Sequence, residues 1–101
     1  MNSFNYTHTD VSKVNDNIQI IRSYGHNIPS RRITILPIAN IVYQYIEGPF
    51  GAYDHYENPI EIWYLCIEID RPSHMRNVVR IDFKSYIKAE DILLKINDCL
   101  Y

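Results

Sequence analysis

The sequence predicts an α+β domain: a four- to five-stranded, mainly antiparallel, curved sheet with one C-terminal helix packed on it. Ile60–Asp70 is a dense apolar run with apolar residues on both faces of a strand, and along Asn77–Lys84 apolar residues alternate with polar ones. A turn that contains Pro72 separates the two runs. From Ser85 onward the apolar spacing changes to three and four residues, which is typical of an amphipathic helix.

Length and composition indicate one domain. The chain has 101 residues, of which 47% are hydrophobic, enough for a single packed core. The net charge of -2 argues against nucleic-acid binding through bulk charge. Residues 1–16 are polar, lack the apolar core of a signal peptide and predict a mobile lead-in with one helical turn after Asp10. We therefore expect a cytoplasmic protein whose folded domain spans residues 17–101, and no membrane segment.

The first half of the domain predicts strands that Pro37 interrupts. Asn17–Tyr24 contains three isoleucines and predicts a strand, which a loop over Gly25–Arg32 follows. Ile33–Glu47 is rich in β-branched and aromatic residues but is too long for one ordinary strand. Because Pro37 cannot donate a ladder hydrogen bond, we expect an edge, a bulge or a bend there. Two strands or one bent strand would satisfy the pattern.

The next segment predicts a long hairpin loop. Gly48–Pro59 is bracketed by a Gly-Pro and an Asn-Pro dipeptide, both of which are turn signals. The following strand, Ile60–Asp70, is apolar on both faces, which is typical of a central strand. One helix covers only one of these faces. Sheet curvature, the N-terminal segment or a second copy of the chain could cover the other, so a homodimer is one expectation.

The chain closes with an amphipathic helix from Ser85, a natural N-cap residue, to Leu100. Its apolar stripe consists of Ala89, Ile92, Leu93, Ile96, Cys99 and Leu100. In outline, a strand-rich body closed by one C-terminal helix resembles small pleckstrin-homology-like domains. That resemblance is one of fold and implies no site.

The hairpin loop is the leading candidate for a partner-binding site. Aromatic side chains beside acidic ones are the residue types that dominate protein interfaces. The alternative is that the aromatic residues fold back as a small core beneath the loop. The predicted partner-binding residues are Phe50, Tyr53, Asp54, His55, Tyr56 and Glu57.

A second candidate is an arginine-rich end of the sheet. If the strands form a meander, the loop Gly25–Arg32 and the turn Arg71–Arg76 meet at one end of the sheet. Guanidinium groups there could bind phosphate, nucleic acid or an acidic protein surface. The alternative is solvated turn residues. The arginines concerned are Arg31, Arg32, Arg71 and Arg76.

Three tyrosines on neighbouring strands, Tyr43, Tyr45 and Tyr64, are a third candidate. They could stack on single-stranded nucleic acid, or they could pack against one another under the helix. No catalytic, metal-binding or cofactor motif is recognisable, and the four histidines lie in separate segments. Cys66 falls within a predicted strand and Cys99 on the predicted helix, so we expect both to be small buried hydrophobic residues. We therefore expect no cofactor, no metal and no enzymatic activity.

These observations predict a small, non-enzymatic module that binds another protein. The chain is rich in Ile, Asn and Tyr, whose codons are A/T-rich, so a phage or viral accessory protein that inhibits a host factor is one concrete version. The alternative is a protein that binds nucleic acid or another anion through the arginine-rich end.

Overall fold

The computed structural model of the chain describes residues 6–24, 31–70 and 77–101. Within these ranges the fold is α+β, as predicted, with antiparallel strands and a C-terminal helix. In chain order the elements are β1 (Tyr6–Val14), β2 (Asn17–Tyr24), β3 (Arg31–Pro37), a short 3-10 helix (Ile38–Asn40), β4 (Ile41–Tyr53), β5 (Pro59–Ile69), β6 (Asn77–Phe83) and α1 (Tyr86–Leu100).

The prediction of one four- to five-stranded sheet is wrong, because the described strands form two sheets. β1, β2 and β3 make up the first sheet, and β4, β5 and β6 make up the second sheet. The chain leaves the first sheet at Pro37, which has no N–H to continue a ladder, and then forms the 3-10 turn. The expected interruption at Pro37 is therefore confirmed, but it separates two sheets.

The connection between the two sheets, Ile38–Asn40, is called the crossing below. Two backbone hydrogen bonds hold it in place. The N–H of Ile38 donates to the carbonyl oxygen of Asp16, which lies in the turn between β1 and β2, over 2.9 Å. The N–H of Asp70 donates to the carbonyl oxygen of Asn40 over 2.7 Å, at the end of β5. The crossing is thus attached to both sheets, which fixes where the second sheet begins.

The expected helical turn in the N-terminal lead-in is wrong, because Tyr6–Val14 forms strand β1. This strand pairs with β2 from Tyr6 to Val14. Asn15, with φ of 55°, makes the tight turn together with Asp16, and asparagine tolerates this left-handed conformation better than most residues. The polar composition of the segment concealed the strand, because pairing with a neighbour does not require an apolar face.

The β4–β5 hairpin is longer than the sequence predicts. β4 continues to Tyr53 and β5 begins at Pro59, so the connection is residues 54–58 instead of the whole of Gly48–Pro59. The pairing register shifts between Glu47 and Phe50, so the turn-forming Gly48-Pro49 dipeptide is an irregularity within β4.

One hydrophobic core fills the space between the two sheets and α1. The predicted helix and its apolar stripe are confirmed, with Ala89, Ile92 and Ile96 fully packed. Gln44 of β4 also donates from Nε2 to Oδ1 of Asn97 in α1 over 2.6 Å. The strand residues of the core are Ile18, Ile20, Leu36, Leu65, Ile67, Ile69, Ile81 and Phe83.

Within the described ranges, no helix has the length and apolar character needed to cross a membrane.

Candidate functional site

The second sheet has one face toward the core and one face away from it. Leu65 and Ile67 of β5 are fully buried in the core, and Ile46 and Gln44 stand opposite them on β4. Because successive strand residues point to opposite faces, Tyr45, opposite Cys66, points away from α1. We call the side chains on this outer side that carry rings, Tyr43, Tyr45, Phe50 and Tyr64, the aromatic face.

The rings of the aromatic face are arranged in two contacting pairs. The centroids of Tyr43 and Tyr45 are 5.4 Å apart, and those of Phe50 and Tyr64 are 5.6 Å apart. Both distances fall within the range of favourable aromatic contacts. Tyr43 is nevertheless 58% exposed and Phe50 45% exposed. The face is therefore ordered by its own ring contacts and remains accessible to another molecule.

The tyrosine prediction left two alternatives, and the geometry decides against one of them. Packing under the helix is wrong for Tyr43, Tyr45 and Tyr64, because α1 and β1 lie on the other side of the second sheet. The sequence contained a signal for this. Strand alternation places Glu47 and Glu68 on the same face as the tyrosines, and Ile46 and Leu65 on the opposite face. Charged residues in phase with the tyrosines indicate the solvent side.

Charged side chains surround the rings. Arg80 Nη2 and Glu47 Oε2 lie 4.0 Å apart on this side of the sheet, and both side chains are well exposed. Burial, and then the nearby Cys66 and Glu47, raise the pKa of the Tyr45 hydroxyl. The outer side of the second sheet thus combines aromatic rings with a partly charged border, which is the usual composition of a protein-binding patch.

Cys66 lies at the centre of this face but is fully buried by its neighbours. Burial raises the pKa of the Cys66 thiol, and the adjacent Arg80 only partly opposes that effect. A thiol with a raised pKa is protonated at neutral pH, and only the thiolate is a good nucleophile. The arrangement therefore does not activate Cys66 for covalent chemistry.

The six residues predicted to bind a partner separate into three groups. Phe50 belongs to the aromatic face, at a position on β4 opposite Ile62. Tyr53 ends β4 and is 71% exposed. The hairpin tip is formed by the remaining residues, Asp54, His55, Tyr56 and Glu57.

Asp54 organises the hairpin tip. Its Oδ1 accepts hydrogen bonds from the backbone N–H groups of Tyr56 and Asn58, each over 2.8 Å. These bonds lower the pKa of the Asp54 carboxyl group, because they favour its ionised form. Glu57 has φ of 63°, and the rings of His55 and Tyr56 meet edge to face at 5.4 Å. Asp54 is thus a turn-forming residue, whereas Tyr56, 81% exposed, is available to a partner.

The predicted arginine-rich end rests on a single meander, which the two-sheet fold replaces. Arg31 and Arg32 are exposed at the start of β3. Arg71 and Arg76 lie outside the described residues, so the anion site stays a prediction. Asp70, at the end of β5, donates a backbone hydrogen bond to the crossing that follows the far end of β3. Arg31 lies six residues from that end, which is roughly 20 Å of strand.

The described residues contain no group of histidine, cysteine, aspartate and glutamate side chains that could hold a metal ion. His8 lies 2.9 Å from Asp10 on exposed β1, and His55 lies at the hairpin tip.

The comparisons with known proteins add no relative: no protein-family model, no curated protein and no solved structure matches the chain.

Proposed function

We propose that the protein is a small, non-enzymatic binding module that docks another protein on its aromatic face, with the hairpin tip as the border of the contact. The observation that carries this proposal is the exposure of Tyr43 and Phe50 beside their ring partners on the outer side of the second sheet. Large rings held in place lose little conformational entropy on binding, so they suit a docking surface.

The chemistry of the face indicates the kind of partner. The rings offer apolar area to aliphatic or aromatic side chains of a partner, while Glu47 and Arg80 offer one charge of each sign at the border. A partner surface of mixed charge with a protruding apolar residue would match this pattern. A uniformly acidic surface such as nucleic acid would meet Glu47 and Glu68 as well as Arg80, which disfavours it.

A narrower form of the proposal is that the protein is a phage or viral accessory protein that inhibits a host factor in the cytoplasm. Support comes from composition, since Ile, Asn and Tyr, whose codons are A/T-rich, are abundant in the chain, and from the small size of the domain.

Affinity capture tests the docking surface. The full chain is immobilised, incubated with lysate of candidate host cells, and the retained proteins are identified by mass spectrometry. We expect the double variant Tyr43→Ser/Phe50→Ser to lose a specific protein that the unchanged chain retains. The matched control is Ile87→Ser/Leu94→Ser, which removes two exposed apolar side chains from α1.

All four side chains are substantially exposed, so we expect both double variants to fold. Circular dichroism checks this. Loss of capture in the aromatic-face variant but not in the helix variant supports the proposal. Equal retention by all three proteins refutes it.

The second candidate is binding of single-stranded nucleic acid. The specific observation in its favour is again the exposed ring pairs, because bases stack on aromatic side chains. It predicts retention of a labelled oligonucleotide that falls steeply with salt. It also predicts that Arg80→Ala, which removes the cation beside the rings, weakens binding. If the unchanged chain retains no oligonucleotide at low salt, this candidate is excluded.

A further inference from the structure

We propose that the protein also self-associates through the open edge of β3. Two copies of β3 pair antiparallel about a two-fold axis at Thr34, so that their first sheets join into one six-stranded sheet. This contact uses a different surface from the aromatic face. It is independent of the proposed function, and a dimer of this kind would display two aromatic faces.

β3 differs from the other three edge strands in its contacts with the rest of the fold. β1 and β4 both contact α1, and at the edge of β6 the guanidinium of Arg22 donates to the carbonyl oxygen of Asp82. Among the described residues β3 pairs only with β2, and it has no extensive contact with another element. An uncovered edge strand presents unpaired N–H and C=O groups to any strand that can reach it.

The side chains next to this edge are apolar. Ile33 and Ile35 are 49% and 59% exposed, and they lie on the side of the first sheet that faces away from the core. Ile21 stands opposite Ile33 in the β2–β3 pairing and adds to the same patch. Soluble proteins usually place charged residues at such an edge, because β-branched residues there favour pairing with another strand.

A second copy of the chain fits this edge in one orientation. With the two-fold axis at Thr34, Ile33 of one copy stands opposite Ile35 of the other, so four isoleucines meet on one face. Directly opposed side chains in an antiparallel pair have Cβ atoms about 5 Å apart, close enough for contact. Parallel pairing would instead place Arg31 and Arg32 beside the same arginines of the second copy, which is repulsive.

Charge complementarity supports the antiparallel orientation. Arg31 of one copy stands opposite Pro37 of the other, and Pro37 pairs in turn with Asn17, the neighbour of exposed Asp16. Two strand spacings, about 10 Å, therefore separate the backbones of Arg31 and Asn17 of the other copy, and Asp16 is the next residue, within reach of the Arg31 side chain. The two-fold axis creates this pair twice.

The contact is small, so we expect a weak dimer. One pair of seven-residue strands and four isoleucines bury less area than a standard stable interface. A dissociation constant in the micromolar range follows from this, and the dimer should accumulate as protein concentration rises.

Sedimentation equilibrium over a range of concentrations tests the proposal with the full chain. We expect a monomer–dimer equilibrium that Ile33→Lys/Ile35→Lys abolishes, because lysine at an edge opposes pairing. The matched control Ile87→Lys/Leu94→Lys, on exposed positions of α1, should still dimerise. Arg31→Asp and Asp16→Arg should each weaken the dimer about two- to tenfold, and their combination should restore it.

Cross-linking locates the two-fold axis. Thr34→Cys should form a disulfide between two copies under mild oxidation, because residues opposed at the axis have Cα atoms about 5 Å apart. His8→Cys, on exposed β1, should not.

A chain that is monomeric at every concentration overturns the proposal. So does a dimer that survives Ile33→Lys/Ile35→Lys but is lost in Tyr43→Ser/Phe50→Ser, since that dimer would use the aromatic face. The first result leaves capture of a different protein by the aromatic face untouched. The second result assigns that face to a second copy of the chain, and the capture experiment then shows whether a different protein binds there as well.

Discussion

Arg22 of the first sheet and Asp82 of the second sheet form a direct polar link between the sheets. Nη1 of Arg22 donates to Oδ1 of Asp82 over 3.0 Å, and Nη2 donates to its backbone oxygen over 2.6 Å. Nε of the same guanidinium donates to Thr9 Oγ1 over 3.3 Å, and the group lies 4.9 Å from the ring centroid of Phe83. One side chain thus contacts β1 and β6 at once.

We predict that Arg22→Ala lowers the free energy of unfolding by about 2–4 kcal/mol, because it leaves the Asp82 carboxylate partly buried without this partner. Asp82→Asn keeps an oxygen on the side chain and the backbone acceptor, so it should cost less, about 1 kcal/mol. Urea denaturation followed by circular dichroism measures both.

The control for this pair is Arg80→Ala. Arg80 lies 4.0 Å from Glu47 and its side chain is 59% exposed, so its removal should change stability by less than about 1 kcal/mol. A loss in Arg22→Ala no greater than that in Arg80→Ala would contradict a structural role for the link.

The sequence held a signal for Arg22 that the predictions did not use. Arg22 follows Ile18 and Ile20 at intervals of two, so strand alternation assigns it to the core face of β2. Its partner is 60 residues away on another sheet, and no local pattern specifies that distance. A buried arginine could therefore be expected from periodicity, but the identity of Asp82 as its partner could not.

The same limit explains which parts of the fold were predictable. β5, β6 and α1 follow from hydrophobic periodicity, which is a local property of the chain. β1 was missed because its pairing with β2 depends on backbone hydrogen bonds that polar residues make equally well. The division into two sheets was missed because alternation identifies a strand but not its neighbours. Phe50 was predicted as a site residue, but its place beside Tyr64 required the β4–β5 register.

Leu93 and Leu94 test how α1 is oriented on the core. Leu93 packs against the buried cluster, whereas Leu94 is 54% exposed. Leu93→Asp brings a charge into contact with the core, so we expect a loss of about 3 kcal/mol or more, or complete unfolding. Leu94→Asp should change stability by less than about 1 kcal/mol. If thermal melts rank the two variants in the opposite order, the face of α1 that carries Leu94 packs on the core, contrary to this structure.

Gly48 and Gly51 make a matched pair within β4. Gly48 has φ of 137°, and a Cβ atom there would lie 3.0 Å from the Ile62 carbonyl oxygen and 3.0 Å from Trp63 Cε3. Gly48→Ala should therefore destabilise the fold by about 1–3 kcal/mol. A Cβ on Gly51 meets nothing within 4 Å, so Gly51→Ala should be neutral or slightly stabilising. Chemical denaturation of the two variants side by side separates backbone strain from a general intolerance of alanine in β4.

The hairpin tip should loosen in acid. The pKa of Asp54 is lowered in the folded chain by hydrogen bonds from the backbone N–H groups of Asn58 and Tyr56. A carboxyl group whose folded pKa is below its unfolded pKa contributes stability that is present above the unfolded pKa. That contribution disappears as the pH falls through the folded pKa. Amide chemical shifts of Tyr56 and Asn58, followed by NMR during acidification, should move with a midpoint below that of an ordinary aspartate.

Asp54→Asn is the matched variant for this titration. Asparagine keeps a side-chain oxygen that can accept the same two backbone hydrogen bonds but does not ionise in this range. The tip should stay closed at neutral pH, and the acid-dependent shift of the two amides should be lost. Persistence of the shift in Asp54→Asn would assign the titration to another group.

Cys66 reports whether the aromatic face is as closely packed as its geometry implies. The thiol is buried and its pKa is raised by that burial, so a thiol reagent should modify it much more slowly than half-buried Cys99 at pH 8. A Cys99→Ser variant isolates the reaction of Cys66, and labelling in urea gives the rate for the unfolded chain. Tyr45 stands opposite Cys66 on the adjacent strand, so Tyr45→Ala should expose the sulfur and accelerate labelling, whereas Tyr53→Ala, at the end of β4, should not. Rapid labelling of Cys66 in the otherwise unchanged Cys99→Ser chain would mean that the rings do not form a fixed surface, and a fixed surface is what the docking proposal requires.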